Sequence, residues 1–297
     1  MACHVKRNVS GGPSYAFVSD SNSVDTAIVY VHGFLGHAQS TWEQLQYYVD
    51  RLDNEPFRDV DLFFYDYPAE DNFVHLSVPS LRAFLNQIFP LPPPELLEVH
   101  FRDLDWRLTD DPEVITLREH RPYSRLVLVG HSLGAVVIRR LVADEALTAH
   151  ANRTTPSGLE AERLLDSELV LMAPAHLGFQ PTGRTALFQI LPFSAFVLRS
   201  AFLFRAFSDL QQGCHFLTQL QRETERMAGC FPKSPAFQPR ILWGDTEGIV
   251  TVGRFDSDSP NAMRYAEGKD HVTVCKLTRS YLTPAEIVLR RDLAHGA

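Results

Sequence analysis

The sequence predicts an α/β fold: a doubly wound, mostly parallel sheet flanked by helices, with a helical cap inserted late in a single domain of residues 1–297. Short, bulky apolar runs predict the strands, because strands buried on both faces read as continuous rather than alternating apolarity. Segments of helical period lie between these runs. That alternation is the pattern of a parallel sheet joined by crossover helices.

The strand candidates are Ala27–Val31 (AIVYV), Leu62–Tyr65 (LFFY), Leu126–Val129 (LVLV), Leu169–Met172 (LVLM) and Ile241–Trp243 (ILW), with His271–Cys275 (HVTVC) a weaker sixth. Between the first two, Thr41–Leu52 puts Trp42, Leu45, Tyr48 and Leu52 on one helical face. After the second, Leu81–Ile88 reads as a further helical piece, followed by the Pro90–Pro94 run and a charged stretch. After the third, Gly134–Ala146 places Val136, Val137, Leu141 and Ala143 inward with Arg139 and Arg140 outward. The phenylalanine-rich stretch between the fourth and fifth strands breaks the alternation, and about residues 177–238 are read as the cap. Right-handed crossovers then place the functional loops at the carboxyl ends of the strands.

Composition narrows the function classes. Apolar residues make up 45% of the chain and charged residues 22%, a globular balance with material for a core. A net charge of −8 argues against nucleic acid as partner, since phosphate binding needs a basic stripe. Lys6 and Arg7 have no apolar stretch behind them, so no secretory signal is expected. Pro192, Arg199 and Arg205 interrupt the most apolar stretch, Ala186–Phe207, which excludes a transmembrane span there. Any contact with a membrane surface would be transient. Cys3, Cys214, Cys230 and Cys275 form no C-x-x-C pair and read as reduced thiols of a cytoplasmic protein, the alternative being a Cys214–Cys230 bridge in an oxidising compartment. Nothing in the sequence sets an oligomeric state.

The strongest chemical signal is Gly130-His131-Ser132-Leu133-Gly134, a G-x-S-x-G motif with a buried strand before it and a helix after it. A sharp strand-to-helix turn exposes the Ser132 hydroxyl above the sheet, and Gly130 and Gly134 remove side chains that would clash where strand and helix cross. His131, adjacent to the serine, reads as packing or turn structure. An acyl-transfer serine also needs two backbone N–H groups aimed at the developing oxyanion. Leu133 supplies one in this reading. The loop His32-Gly33-Phe34-Leu35-Gly36-His37 supplies the other at Phe34, with Gly33 letting the backbone turn. His32 is expected to shape that loop by hydrogen bonding, His37 to sit on its rim, and Asp66 to stabilise loops near the site.

The serine's proton needs a histidine oriented by a carboxylate, in the chain order Ser, Asp/Glu, His. Of the late histidines, His295 is at the frayed terminus, His215 lies in the expected cap and His176 precedes any acid-bearing strand, which leaves His271. The turn after Ile241–Trp243 offers two acids. Glu247 is preferred, its successor Gly248 permitting a tight turn; Asp245, suited to capping that turn, is the second choice. Asp270 reads as a turn residue.

With these residues assembled, the chain resembles the α/β-hydrolase superfamily, and within it the serine esterase/lipase-like group that includes inositol-deacylase-like and palmitoyl-esterase-like proteins. HGFLGH (32–37), GHSLG (130–134), APAHLG (173–178), EGIV (247–250) and KDHVTVCK (269–276) look like that group's blocks in the same order. Gly244, Glu247 and Val250 resemble the G-x-x-D-x-x-V spacing of many such enzymes, with Glu where Asp is commoner, and Ala135 stands where a second glycine is frequent. The resemblance implies an α/β-hydrolase fold and gives His176 a structural role. It also implies a serine hydrolase acting on a small-molecule or lipid ester, and the sequence has no H-E-x-x-H, paired C-x-x-C or phosphate-loop glycine pattern, so no metal or cofactor is expected. Relatives also cleave thioesters and amides, and the superfamily contains non-catalytic binding modules. Phe193, Phe196, Phe202, Phe204 and Phe207 are expected either to pack cap helices on the sheet or to line an acyl-binding lid.

Overall fold

The computed structural model describes residues 4–9, 12–34, 36–51, 57–69, 74–100, 114–152, 163–180 and 209–290. Its strands are β1 His4–Asn8, β2 Tyr15–Ser19, β3 Thr26–Val31, β4 Val60–Tyr65, β5 Glu98–His100, β6 Val114–Thr116, β7 Arg125–His131, β8 Glu168–Met172, β9 Arg240–Gly244 and β10 Met263–Ala266. Its helices are α1 Ala38–Arg51, α2 Val74–Ile88, α3 Pro94–Leu97, α4 Leu133–Asn152, α5 His215–Cys230 and α6 Thr283–Leu289. Eight strands form one sheet in the order β1-β2-β4-β3-β7-β8-β9-β10, parallel from β4 to β10 and antiparallel at the β1-β2-β4 end. β5 and β6 form a separate antiparallel pair.

The five stronger strand candidates all lie in the parallel part. β3 and β4 are buried at every position, which is why their sequences show no alternation. One charge sits inside this apolar wall. Asp61 of β4 accepts from Arg118 Nη2 (2.6 Å), Tyr123 Oη (2.5 Å) and the Ser19 N–H (2.9 Å), so the buried carboxylate is paired and hydrogen-bonded.

Two expectations are corrected. His271–Cys275 is a turn and not a strand: the Asp270 carboxylate accepts from the Val272 and Thr273 N–H groups and folds the chain back. The last strand among the described residues is β10, whose MRYA is half exposed at the sheet edge and so lacks an apolar signature. Arg139 does not face solvent. It is buried, bonded to Asp258 through both terminal nitrogens (3.2 and 2.6 Å) and laid over the Phe255 ring. β1 escapes the apolar-run criterion because it is a charged edge strand, a form that protects an open sheet edge, whereas β2 (YAFVS) is buried throughout and was missed although it fits the criterion.

Cys214 and Cys230 stand at opposite ends of α5, about 24 Å apart along a 16-residue helix, and both are free thiols. α5 packs against α4, on the body of the domain. The expected cap's central part, residues 181–208, lies outside the described residues, and with it the phenylalanines at 193, 196, 202, 204 and 207. The flanks of that part meet, since Phe179 N–H donates to Leu210 O at 2.9 Å. No helix among the described residues is long and apolar enough to cross a membrane.

The topology sets where a site can form. From β3 the chain moves one way to β4, and from β7 it moves the other way to β8 and β9. The reversal leaves a crevice at the carboxyl ends of β3 and β7, where ligands bind in open α/β sheets. α4 starts in that crevice and runs so close to β3 that a methyl group on Gly134 would drive into the Val31 and His32 carbonyls. A methyl on Gly130 would lie 2.6 Å from Ala135 Cα. Gly134→Ala should therefore lower the unfolding free energy in urea by about 2–4 kcal/mol. Gly248 has open space around it and no left-handed φ. Gly248→Ala should stay within about 0.5 kcal/mol of the wild type in the same measurement.

Candidate active site

Ser132 occupies the turn between β7 and α4 at φ +53°, a left-handed conformation rare outside glycine. Three backbone hydrogen bonds hold it there: its N–H donates to Met172 O (3.0 Å), and its carbonyl accepts from the N–H groups of Ala135 and Ala175 (3.2 Å each). Its Oγ lies 2.9 Å from His271 Nε2, and His271 Nδ1 lies 3.0 Å from Glu247 Oε2. The His271 and Glu247 side chains are 6% and 1% exposed. Glu247 Oε1 accepts from the N–H groups of Ile249 (2.8 Å) and Val250 (3.1 Å), so both carboxylate oxygens are engaged.

Charge fixes the direction of these bonds. Burial alone would raise the Glu247 carboxyl, but the hydrogen bond and charge of His271, with the two backbone donors, hold it below the usual glutamate value. An ionised Glu247 only accepts, so His271 Nδ1 carries the proton and Nε2 presents a lone pair to the Ser132 hydroxyl.

Two backbone clamps bring His271 to this position from 139 residues away in the chain. The turn bearing Glu247 is bonded to the loop bearing His271: Thr246 N–H and Oγ1 donate to Lys269 O (3.1 and 2.8 Å), and Lys269 N–H donates to Asp245 Oδ1 (3.2 Å). The carboxylate of Asp245, the second-choice acid, thus bonds across to the loop bearing His271 rather than capping its own turn, and the carboxylate at His271 Nδ1 is that of Glu247. His131 supplies the other clamp, its Nε2 donating to the His271 carbonyl at 2.8 Å. Sequence spacing carries no signal for either clamp, because each joins segments far apart in the chain.

The remaining predicted residues surround Ser132. A Cβ on Gly33 would lie 2.8 Å from Ser132 Cβ, so this glycine is needed for close approach and not for an unusual turn. Phe34 follows it, half-buried against the core. Leu133 is the first residue of α4, where an N–H has no acceptor within the helix. Gly248, expected to permit the acid turn, has ordinary backbone geometry, and the turn is closed by the Glu247 carboxylate itself. His37 is exposed at the rim, and His176 is buried, with its Nε2 3.2 Å from Gly253 O.

A family model described as the alpha/beta hydrolase family matches residues 28–286. The chain belongs to the alpha/beta hydrolase family. It is similar to solved hydrolases at low identity. The phospholipase PlaB from Legionella pneumophila is 13% identical, with a TM-score of 0.51 over 90% of this chain and 59% of that one. Est1E from Butyrivibrio proteoclasticus is also 13% identical, with a TM-score of 0.47 over 97% and 96% of the two chains. The carboxylesterase CesB from Bacillus subtilis is 10% identical, with a TM-score of 0.46 over 97% and 90%. The chain thus spans about three fifths of the Legionella phospholipase. No curated protein matches it in sequence.

His131 also ties this alpha/beta hydrolase's stability to pH. Burial, and then the charge of neighbouring His271, push its imidazole down to about 3. An unfolded histidine titrates near 6.5, so as pH falls below that value the unfolded chain takes up a proton that the folded one refuses, and stability is lost. Between pH 7.5 and 5.5 this one group accounts for about 1.4 kcal/mol. His131→Gln keeps a donor toward His271 O without titrating, so its loss of stability over that interval should be about 1.4 kcal/mol smaller by urea denaturation. Equal losses in the two proteins would remove His131 as the cause.

Proposed function

We propose that this protein is a serine hydrolase that cleaves carboxylic esters through an acyl-enzyme. Ser132 is the nucleophile, His271 the general base and then acid, and Glu247 the carboxylate that orients His271. The observation that carries the reading is the hydrogen-bonded path from Ser132 Oγ through His271 to Glu247, at 2.9 and 3.0 Å.

In the proposed reaction Ser132 Oγ attacks the ester carbonyl carbon while its proton passes to His271 Nε2. The carbonyl electron pair moves onto oxygen, and the N–H groups of Phe34 and Leu133 receive the resulting oxyanion, helped by the positive end of α4. Collapse expels the alcohol, which takes the proton from Nε2, and leaves the acyl group on Ser132. Water then attacks the acyl carbonyl and gives its proton to Nε2. Release of the acid returns that proton to Oγ. Glu247 stays ionised throughout and stabilises the transient imidazolium. The substrate is a small-molecule or lipid ester, and no metal or cofactor takes part.

Steady-state hydrolysis of p-nitrophenyl esters from acetate to octanoate tests the assignment. Ser132→Ala and His271→Ala should each lose about 10³-fold or more in kcat, and Glu247→Gln about 10²–10⁴-fold. Asp245→Asn should stay within about threefold. Wild-type turnover by Ser132→Ala, or a heavier loss in Asp245→Asn than in Glu247→Gln, contradicts the roles given. Across the ester series, an acyl-binding wall predicts that octanoate is cleaved faster than acetate, since each buried methylene contributes about 0.8 kcal/mol. The reverse order sinks the lipase-like version.

A further inference from the structure

The geometry points to His32, held by Asp66, as a positioning residue that sets the orientation of the Gly33–Phe34 peptide and so the aim of the Phe34 N–H. The inference rests on the reading of Ser132 as nucleophile and Phe34 as an oxyanion donor, and deepens it.

The peptide in question lies against Ser132, as the 2.8 Å approach of a Gly33 Cβ to Ser132 Cβ requires. Its carbonyl is held from two sides. Gly33 O accepts from His32 Nδ1 at 2.9 Å and from the Gly36 N–H at 3.0 Å, which occupies both of its lone pairs. In a planar trans peptide the C=O and the following N–H point in opposite directions, so fixing one fixes the other. Rotating this peptide would break both bonds and turn a carbonyl oxygen, with its negative partial charge, toward the place assigned to the oxyanion.

His32 can do this because it is itself immobilised. Its side chain is fully buried, its ring stacks on Tyr67 at 4.5 Å and 24°, and its Nε2 meets Asp66 Oδ1 at 2.9 Å; because Gly33 O and the Asp66 carboxylate both accept, the two bonds are made together by the ring as an imidazolium paired with Asp66. Tyr67 Oη donates to the His32 carbonyl at 2.9 Å. Sheet register provides the partner: Val31 of β3 pairs with Tyr65 of β4, so the next residue on each strand is His32 and Asp66. The Asp66 N–H in turn donates to Ser14 Oγ at 3.0 Å. An imidazole and a carboxylate next to the reacting serine, yet apart from the Ser132–His271–Glu247 path, thereby act on the reaction through one backbone amide.

The test is the kinetics of p-nitrophenyl butyrate hydrolysis by His32→Phe, His32→Asn, Asp66→Ala and Asp66→Asn, each with its thermal midpoint. His32→Phe and Asp66→Ala should lose about 10–100-fold in kcat with KM within about threefold, because a misaimed donor weakens transition-state binding more than substrate binding. His32→Asn, whose amide N–H falls near the place of Nδ1–H, and Asp66→Asn should regain most of that loss. Wild-type kcat in folded His32→Phe overturns the inference, as does a His32→Asn protein that folds like the wild type yet is as slow as His32→Phe. If His32→Phe does not fold, the Asp66 pair decides: wild-type kcat in Asp66→Ala overturns the inference. Ser132→Ala in the same assay separates the two levels, because full activity there defeats the nucleophile assignment itself.

Discussion

The site depends on three backbone segments passing one another with no room for side chains. The end of β3, the turn at Ser132 and the first turn of α4 meet at the switch in strand order, and Gly33, Gly130 and Gly134 stand at the contacts. A left-handed serine costs about 1–3 kcal/mol and persists only where its surroundings over-determine it. The bonds from Met172, Ala135 and Ala175 do so, tying the turn to β8 as well as to its own helix. What this arrangement yields is a serine hydroxyl at a fixed height above the sheet, beside the start of a helix and beside the β3 loop.

Everything else in the site is brought to that hydroxyl. β9 and β10 end side by side, and their following segments are bonded together through Asp245, Thr246 and Lys269, so Glu247 and His271 approach as one unit. His131 then ties that unit to the end of β7, beside Ser132, through the His271 carbonyl. A buried glutamate with both oxygens occupied keeps its charge, and that charge selects the histidine tautomer whose free nitrogen faces Ser132. The proposed chemistry therefore follows from electrostatics that are set before any substrate arrives, which is the condition for efficient charge stabilisation in a transition state.

Much of this was legible in the sequence, for identifiable reasons. Strands buried on both faces write continuous apolar runs, so the parallel strands β3, β4, β7, β8 and β9 could be read, whereas the edge strands β1 and β10 are mixed in character and could not. HVTVC at 271–275 has strand-forming residues, yet one aspartate side chain at position 270 bends it into a turn. Local propensity lost there to a single local hydrogen-bonding group. The turn at Ser132 was legible because its motif is local, and the approach of Glu247 and His271 to it was legible from chain order and the turns that carry them. The clamps at His131 and Lys269 were not, since they depend on which distant segments the sheet brings together. Arg139 was misread for the same reason: its partner Asp258 is 119 residues away, and periodicity knows nothing of it.

The most direct measurement is mass spectrometric mapping of the protein after reaction with a fluorophosphonate at neutral pH. Ser132 is one of many serines, and only a hydroxyl activated by an adjacent imidazole should displace fluoride rapidly. The account predicts a single adduct on the peptide containing Ser132, formed in the native protein and lost when it is unfolded first. An adduct on a different serine, or none on folded protein, would contradict it.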